Sequence, residues 1–328
     1  MNSHTKNIPL ALQNLRLPII AAPMFTVSYP ELVKAQCKAG IVGSFPALNA
    51  REAGLLDEWL HDINQELISY KESYSQAIIG SIAVNLIIHR TNPRLQEDLA
   101  TCVKHQVPII ITSLQAPLPE IVEQVHAYGG IILHDVINLR HAQKAIEAGV
   151  DGLILVAAGA GGHGGRLSPM ALVAEIKQIF DGPIILSGAI STGDAVLAAQ
   201  VMGADFAYLG TKFIASDEAN AVAEYKQAIV NAKAADILYS DHFSGVHGNY
   251  LKESIIRAGL DPDYLDESTK HKMNFTDGSS KVKAWKDIWG AGQGVGAINE
   301  ILPVATIVDN LEKEYYAAIE RVSTYQRK

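Results

Sequence analysis

The sequence predicts an α/β fold: a closed (β/α)8 TIM barrel with a small helical domain inserted after strand 8. Three observations carry this. Eight short apolar runs recur along 328 residues, each followed by an amphipathic segment. The runs are continuous and β-branched rather than alternating, as in strands covered on both faces. Eight such repeats suit a parallel barrel better than an open sheet.

In order, the strand candidates are PIIAA (18–22), IVGS (41–44), GSIAVNL (80–86), PIIIT (108–112), IILHDV (131–136), GLILVAA (152–158), PIILS (183–187) and FAYLG (206–210). Helices are expected between them at PELVKAQCKAG, from Arg51 to about Tyr70, and at NPRLQEDLATCVKH, LPEIVEQVHAYG, NLRHAQKAIEAG, SPMALVAEIKQIF and TGDAVLAAQVMG. Ser168-Pro169 reads as an N-cap followed by a first-turn proline. Gly40, Gly149 and Gly203 stand where helices should stop. The barrel is assigned 1–215 plus 284–328, closed by a helix over roughly Val304 to Arg321, and 216–283 is read as a helical lid on the C-terminal face.

Net charge is −8 and charged residues make up 19%. No Lys/Arg run is present, so nucleic acid is not an expected partner. No stretch is apolar enough to span a bilayer, and no signal peptide is read at the N-terminus. Cys37 and Cys102 both fall in predicted helices, which suits buried reduced thiols in a cytoplasmic protein.

The densest chemical signal is VAAGAGGHGGR (156–166), a glycine loop after the sixth strand with His163 at its centre. Glycines let a backbone approach a flat ligand and permit positive φ. The loop matches G-x-G-x-x-G literally, but the next strand, PIILS, ends without the acid a dinucleotide fold needs. The other strand ends offer Pro23, Met24 and Phe25; Ser44 and Phe45; Asn85; Ser113 and Gln115; His134 and Asp135; Ser187 and Gly188; Gly210 and Thr211. They show no Schiff-base lysine, no carboxylate pair and no metal-type cluster. A site so poor in charge suits a planar cofactor that does the chemistry itself. SGAIS (187–191) and LGT (209–211) end strands seven and eight, where such barrels bind phosphate. That layout suits flavin mononucleotide (FMN), its ring over Ala22, Pro23 and Met24. Met24 and Phe25 serve equally as plugs of the barrel mouth, and Asn85 as a partner for buried backbone. His134 and Asp135 read as structural. A flavin-free barrel binding a sugar phosphate is the non-catalytic alternative.

The chain resembles the nitronate monooxygenase (formerly 2-nitropropane dioxygenase) family of FMN barrels. The resemblance runs from about Leu15 to Leu311. It rests on AAPMF (21–25), GSFPALN (43–49), AVN (83–85), AGAGGHGG (158–165), LSGAIS (186–191), LGTKF (209–213), HGNYLK (247–252) and WGAGQG (289–294). It implies non-covalent FMN, with Ala22, Pro23, Met24 and Phe25 lining the ring and Asn85 bonding the cofactor. Gly161 and Gly162 would approach it, Ser187, Gly188, Ala189, Gly210 and Thr211 would hold its phosphate, and Gln293 would reach it from the returning loop. His163 would be the active-site histidine. The expected activity is oxidation of alkyl nitronates by O2. The alternative is NADH:quinone reduction, since the motif forms lie near a branch that includes NADH:quinone reductases; enoyl-reductase barrels are more distant cousins. Nitronate oxidisers carry an acid before GGH, where this chain has Gly159-Ala160. The expected partner is a small-molecule substrate, with a homodimer left open.

Overall fold

The computed structural model describes residues 8–265 and 287–324. All eight expected strands form: β1 (Ile19–Ala21), β2 (Gly43–Pro46), β3 (Ile82–Ile88), β4 (Ile109–Leu114), β5 (Ile131–Val136), β6 (Gly152–Val156), β8 (Ile184–Ser187) and β9 (Phe206–Leu209). They make one parallel sheet in the order β1-β9-β8-β6-β5-β4-β3-β2. A parallel bridge between Ile20 and Val42 joins its two ends. Ala21 N–H donates to Val42 O at 2.9 Å and Val42 N–H to Ile19 O at 3.2 Å, which closes the barrel.

Continuous apolar runs are explained by the two cores they face. Ile20, Val42, Ile109, Ile111, Leu133, Ile154, Ile185 and Tyr208 fill the barrel interior, and Leu12 packs against the same cluster. Side chains pointing the other way, such as Val84, Ile110, Ile132 and Leu155, meet the surrounding helices. The helices are α1 (Pro30–Lys38), α2 (Leu55–Ser73), α3 (Leu95–Lys104), α4 (Pro119–His126), α5 (Leu139–Glu147), α6 (Pro169–Ile176) and α7 (Gly193–Met202). Cys37 on α1 and Cys102 on α3 are buried free thiols. Gly203 ends α7 in the left-handed conformation, at φ 109°. Ser168 occupies the N-cap position of α6, but its side chain makes no capping hydrogen bond. The closing helix spans Val304–Ser323 and packs so tightly on α7 that a Cβ on Gly193 would lie 2.2 Å from Tyr315 N.

Between β9 and the closing helix the chain departs from an all-helical expectation. It holds α8 (Thr211–Ile214), α9 (Ala223–Asn231) and α10 (Lys252–Arg257), but also β10 (Ile237–Ser240) and β11 (Gly248–Leu251). These strands form an antiparallel sheet with β7 (Gly162–His163), in the order β10-β11-β7. The hairpin escapes a sequence reading because each strand is four residues long and β11 takes its other partner from the glycine loop. Positions 266–283 of the expected lid lie outside the described residues. Among the described residues, no helix is long and apolar enough to cross a membrane.

Candidate active site

A cavity of about 1290 Å³ opens at the C-terminal ends of the barrel strands. Ala22, Pro23, Met24, Phe25, Asn85, Gly161, Gly162, His163, Ser187, Gly188, Ala189, Gly210 and Thr211 all line it. Sequence spacing thus brings together thirteen of the fourteen expected site residues. Gln293 is the exception: its side chain is exposed and does not line the cavity. It opens a short 3-10 turn, its backbone N–H donates to Gly159 O at 2.9 Å, and its Oε1 would lie 3.1 Å from a Cβ on Gly159.

The loop after β1 is shaped by Asn49, from the second motif. Asn49 Nδ2 donates to Met24 O at 3.1 Å and to Ser28 O at 2.8 Å, while its Oδ1 accepts from Thr26 N–H at 2.9 Å. Thr26 is thereby held at φ 64°. Phe25 stays part-exposed at the rim, 5.9 Å from the Arg51 guanidinium. That is cation–π range.

The glycine loop is held from two sides. Gly162 and His163 pair with Asn249 and Gly248 of β11. A Cβ on Gly248 would stand 2.8 Å from Gly162 O, so only glycine fits. Asn249 Nδ2, buried, donates to Ala160 O at 2.6 Å, and Tyr239 OH donates to Gly164 O at 3.0 Å. On the other side WGAGQG runs against the loop. Gly292 N–H donates to Thr211 Oγ1 at 2.9 Å, and a Cβ on Gly292 would lie 2.6 Å from Gly159 O. Trp289 anchors this segment by stacking on Tyr225, with centroids 4.8 Å apart and a 16° interplanar angle.

His163 faces the cavity, with its Nε2 2.8 Å from Ser244 Oγ. Ser244 Oγ donates to Val246 O at 3.0 Å. With the one hydroxyl proton directed there, the ring donates through Nε2 and Nδ1 is its basic nitrogen. Burial pushes the imidazole down to about 4, so it is neutral near pH 7.

At the far side, Gly188 adopts φ 136° and Ala189 φ 55°. A Cβ on Gly188 would meet Ala158 O at 2.7 Å. A non-glycine residue at positive φ stores strain, a feature that concentrates at ligand clamps. Ser191 lines the same cavity with its Oγ buried and without a hydrogen-bond partner among the described residues.

A polar row crosses the barrel top. Asn85 Nδ2 donates to Ser113 Oγ at 2.7 Å and to Ile111 O at 3.2 Å. Ser113 Oγ donates to Asp135 Oδ2 at 2.6 Å. Asn85 therefore does satisfy buried backbone, and it still lines the cavity. Burial pushes the Asp135 carboxyl up to about 6. His134 points away, with Nδ1 2.8 Å from Thr112 Oγ1. Its reading as structural fits that contact.

Ser244 and Tyr208 were not singled out as site residues, and Ser191 entered only as the last residue of the SGAIS motif. Ser244 precedes HGNYLK by three positions and carried no signal of its own. Tyr208 has one: it alternates with Phe206 on β9, and both point inward.

Fold and site together define a (β/α)8 barrel enzyme with a glycine-walled cavity at the strand C-termini. Residues 53–314 match the family model for nitronate monooxygenase. The chain belongs to the nitronate monooxygenase family, and is an oxidoreductase of that type. A nitronate monooxygenase of Paraburkholderia phytofirmans is 26% identical, covering 98% of each chain. A probable nitronate monooxygenase of Staphylococcus aureus is 25% identical over 79% of this chain and 83% of its own. Among solved structures, a nitroalkane oxidase from Streptomyces ansochromogenes superposes with a TM-score of 0.75 at 22% identity, over 94% of this chain and 98% of its own. FabK from Thermotoga maritima gives a TM-score of 0.75 at 22% identity, over 96% and 97%. These two likenesses support the fold.

Proposed function

We propose that this chain is an FMN-dependent oxidoreductase that oxidises alkyl nitronates with O2. The residues fit such a cofactor. A Cβ-intolerant glycine at 188 and the unpartnered Ser191 Oγ make a cradle for an anionic tail beside Ser187, Ala189, Gly210 and Thr211. Ala22, Pro23 and Met24 offer an apolar wall for the ring, and Asn85 lines the same cavity with both amide hydrogens already engaged, which leaves an acceptor as its remaining group. Bound flavin supplies the electron transfer, from the organic substrate and on to O2.

The protein's own work is binding, orientation and proton control. A nitronate is already an anion and yields an electron readily, so it must be held and shielded from bulk water. Arg51, Arg94 and Arg166 line the cavity, whereas Asp135 is its only lining carboxylate among the described residues. Arg94 is paired with Asp98 at 2.7 Å. The balance favours an anionic substrate. The neutral imidazole of His163 can hydrogen-bond a nitro oxygen or exchange a proton with the substrate. With Gly159-Ala160 where nitronate oxidisers have an acid, His163 carries that task alone in its loop.

The carrying observation is His163, fixed by Ser244 and by the pairing of its strand with β11, facing a cavity of this shape. The test is an absorption spectrum of purified protein, then anaerobic mixing with ethylnitronate and aerobic oxygen uptake. Bleaching by nitronate and oxygen consumption at millimolar nitronate support the reading; a colourless protein that takes up no FMN rejects it. One observation favours a second reading, NADH:quinone reduction. The cavity exceeds the roughly 300–1,000 Å³ of a single-ligand pocket, which leaves room for a nicotinamide or quinone beside a flavin. Anaerobic bleaching by NADH but not by nitronate would select it.

A further inference from the structure

The polar row at the barrel top is directional. Asn85 spends both amide hydrogens, on Ile111 O and Ser113 Oγ, leaving Oδ1 as its remaining group, an acceptor. Ser113 spends its hydrogen on Asp135 Oδ2. Asp135 Oδ1 is then left buried with no partner among the described residues, and so is the hydroxyl of Tyr208 on β9, a side chain only 7% exposed. Both residues line the cavity. Buried polar atoms are almost always paired, so two orphans in one cavity need a ligand that pairs them.

Their position says which part of a ligand that is. In a closed eight-strand barrel, strands four places apart stand opposite. By strand order, β3 faces β8 and β4 faces β9. Asn85 and Ser113 therefore stand across the barrel from the loops at Ser187–Ser191 and Gly210–Thr211, with Asp135 beside them on β5. Tyr208 is rooted on β9 but points into the barrel interior, where burial raises its phenol and Asp135 is near enough for its carboxylate to add to that. A molecule anchored by a phosphate at those loops directs its other end to the row.

We propose that Asp135 and Tyr208 recognise the polar edge of the bound cofactor's ring, with the Asp135 carboxyl in its neutral, hydrogen-donating form. This rests on the flavin reading above. The pyrimidine edge of a flavin presents carbonyl, N–H, carbonyl. The protein presents the complement: a donor from Asp135 Oδ1, an acceptor from Asn85 Oδ1 and a donor from Tyr208. Burial raises Asp135 to about 6, so on its own it is mostly ionised at neutral pH, and a ring carbonyl accepting from Oδ1 supplies the rest of the shift to the neutral form. Ser113 positions it.

The test separates the two ends of the ligand. Full-length protein freed of cofactor is titrated with FMN and with riboflavin, which lacks the phosphate, by flavin fluorescence. Asp135→Ala and Tyr208→Phe should each weaken both ligands by about 5- to 20-fold, the range of one or two lost hydrogen bonds. Asp135→Asn, whose amide still donates, should stay within about threefold. The visible flavin bands should shift in Tyr208→Phe, a change that folding defects alone do not produce. Gly188→Asp should weaken FMN far more than riboflavin. Unchanged dissociation constants and spectra in both Asp135→Ala and Tyr208→Phe overturn the proposal. So does a loss confined to FMN, or an Asp135→Asn defect equal to that of Asp135→Ala. Wild-type protein that binds neither flavin overturns the cofactor reading itself, a result distinct from wild-type binding with indifferent variants.

Discussion

Ser244 Oγ sits 2.8 Å from His163 Nε2, although 81 residues of chain separate them. The serine comes from the turn before β11, and the histidine from β7, which pairs with that strand. Backbone pairing and side-chain contact thus fix the imidazole together.

Removing the imidazole should spare the cofactor and slow the chemistry. His163→Ala is expected to keep flavin bound while slowing reduction by the organic substrate by about 10- to 10⁴-fold. Ser244→Ala leaves the imidazole in place but removes its orienting bond, together with the contacts of Oγ to Val246 and Tyr250, and should cost about 3- to 20-fold in the same step. Stopped-flow reduction under anaerobic conditions measures both. Wild-type rates in His163→Ala would make the residue structural.

The pH profile of that step follows from the lowered His163. With the ring held down to about 4, no limb from this residue should appear between pH 5.5 and 8.5. A break near 6.5 that vanishes in His163→Gln would contradict the assignment.

Stability should fall on mild acidification. His163 and His134 are both pushed down to about 4, chiefly by burial. Between pH 6.5 and 4 the unfolded chain takes up protons that the folded chain refuses, so stability drops as pH falls through that window. Asp135, raised to about 6, acts in the opposite sense: its contribution is full below 3.8 and is lost as pH rises toward 6. One histidine is roughly offset, leaving a net loss on the order of 3 kcal/mol from these three groups. Urea midpoints at pH 4.5 and 7 test this. His163→Gln should narrow the gap between them, and an unchanged gap would remove His163 from the account.

Gly188→Ala should cost both fold and cofactor. It places a side chain at φ 136° and 2.7 Å from Ala158 O. Strain of about 1–3 kcal/mol is expected, with weakened FMN binding. A thermal melt and a fluorescence titration read the two effects, and an alanine variant with wild-type values in both would show the loop can yield.

Asn249→Ala should loosen the glycine loop from behind. It strips Ala160 O of a buried 2.6 Å bond. A loss of about 1–3 kcal/mol is expected, with slower turnover, because leaving a buried acceptor unpaired costs its desolvation. Chemical denaturation gives the first, and steady-state kinetics the second.

The eight barrel strands were legible because each is buried on both faces and therefore continuous in apolar residues. The cavity lining was legible because parallel barrels place strand ends and their loops on one face, which fixes Ala22, Asn85, His163, Ser187 and Thr211 together before any contact is known. What stayed hidden depends on pairing across long separations. The β10–β11 hairpin has no apolar run and takes its third strand from Gly162–His163. The Ser113–Asp135 contact follows from the β4–β5 register, which a list of strand ends does not contain. Gln293 meets the glycine loop at Gly159 through its main chain and its side-chain amide, a contact that depends on how the returning segment packs.

The small sheet β10-β11-β7 ties the position of His163 to a region that looks like an accessory. Trimming or grafting that hairpin would move the imidazole itself, so it cannot be exchanged as a module. Efforts to change which molecules this protein accepts belong at the rim, at Phe25, Arg51 and Arg166, where side chains can be varied while the reactive centre keeps its alignment.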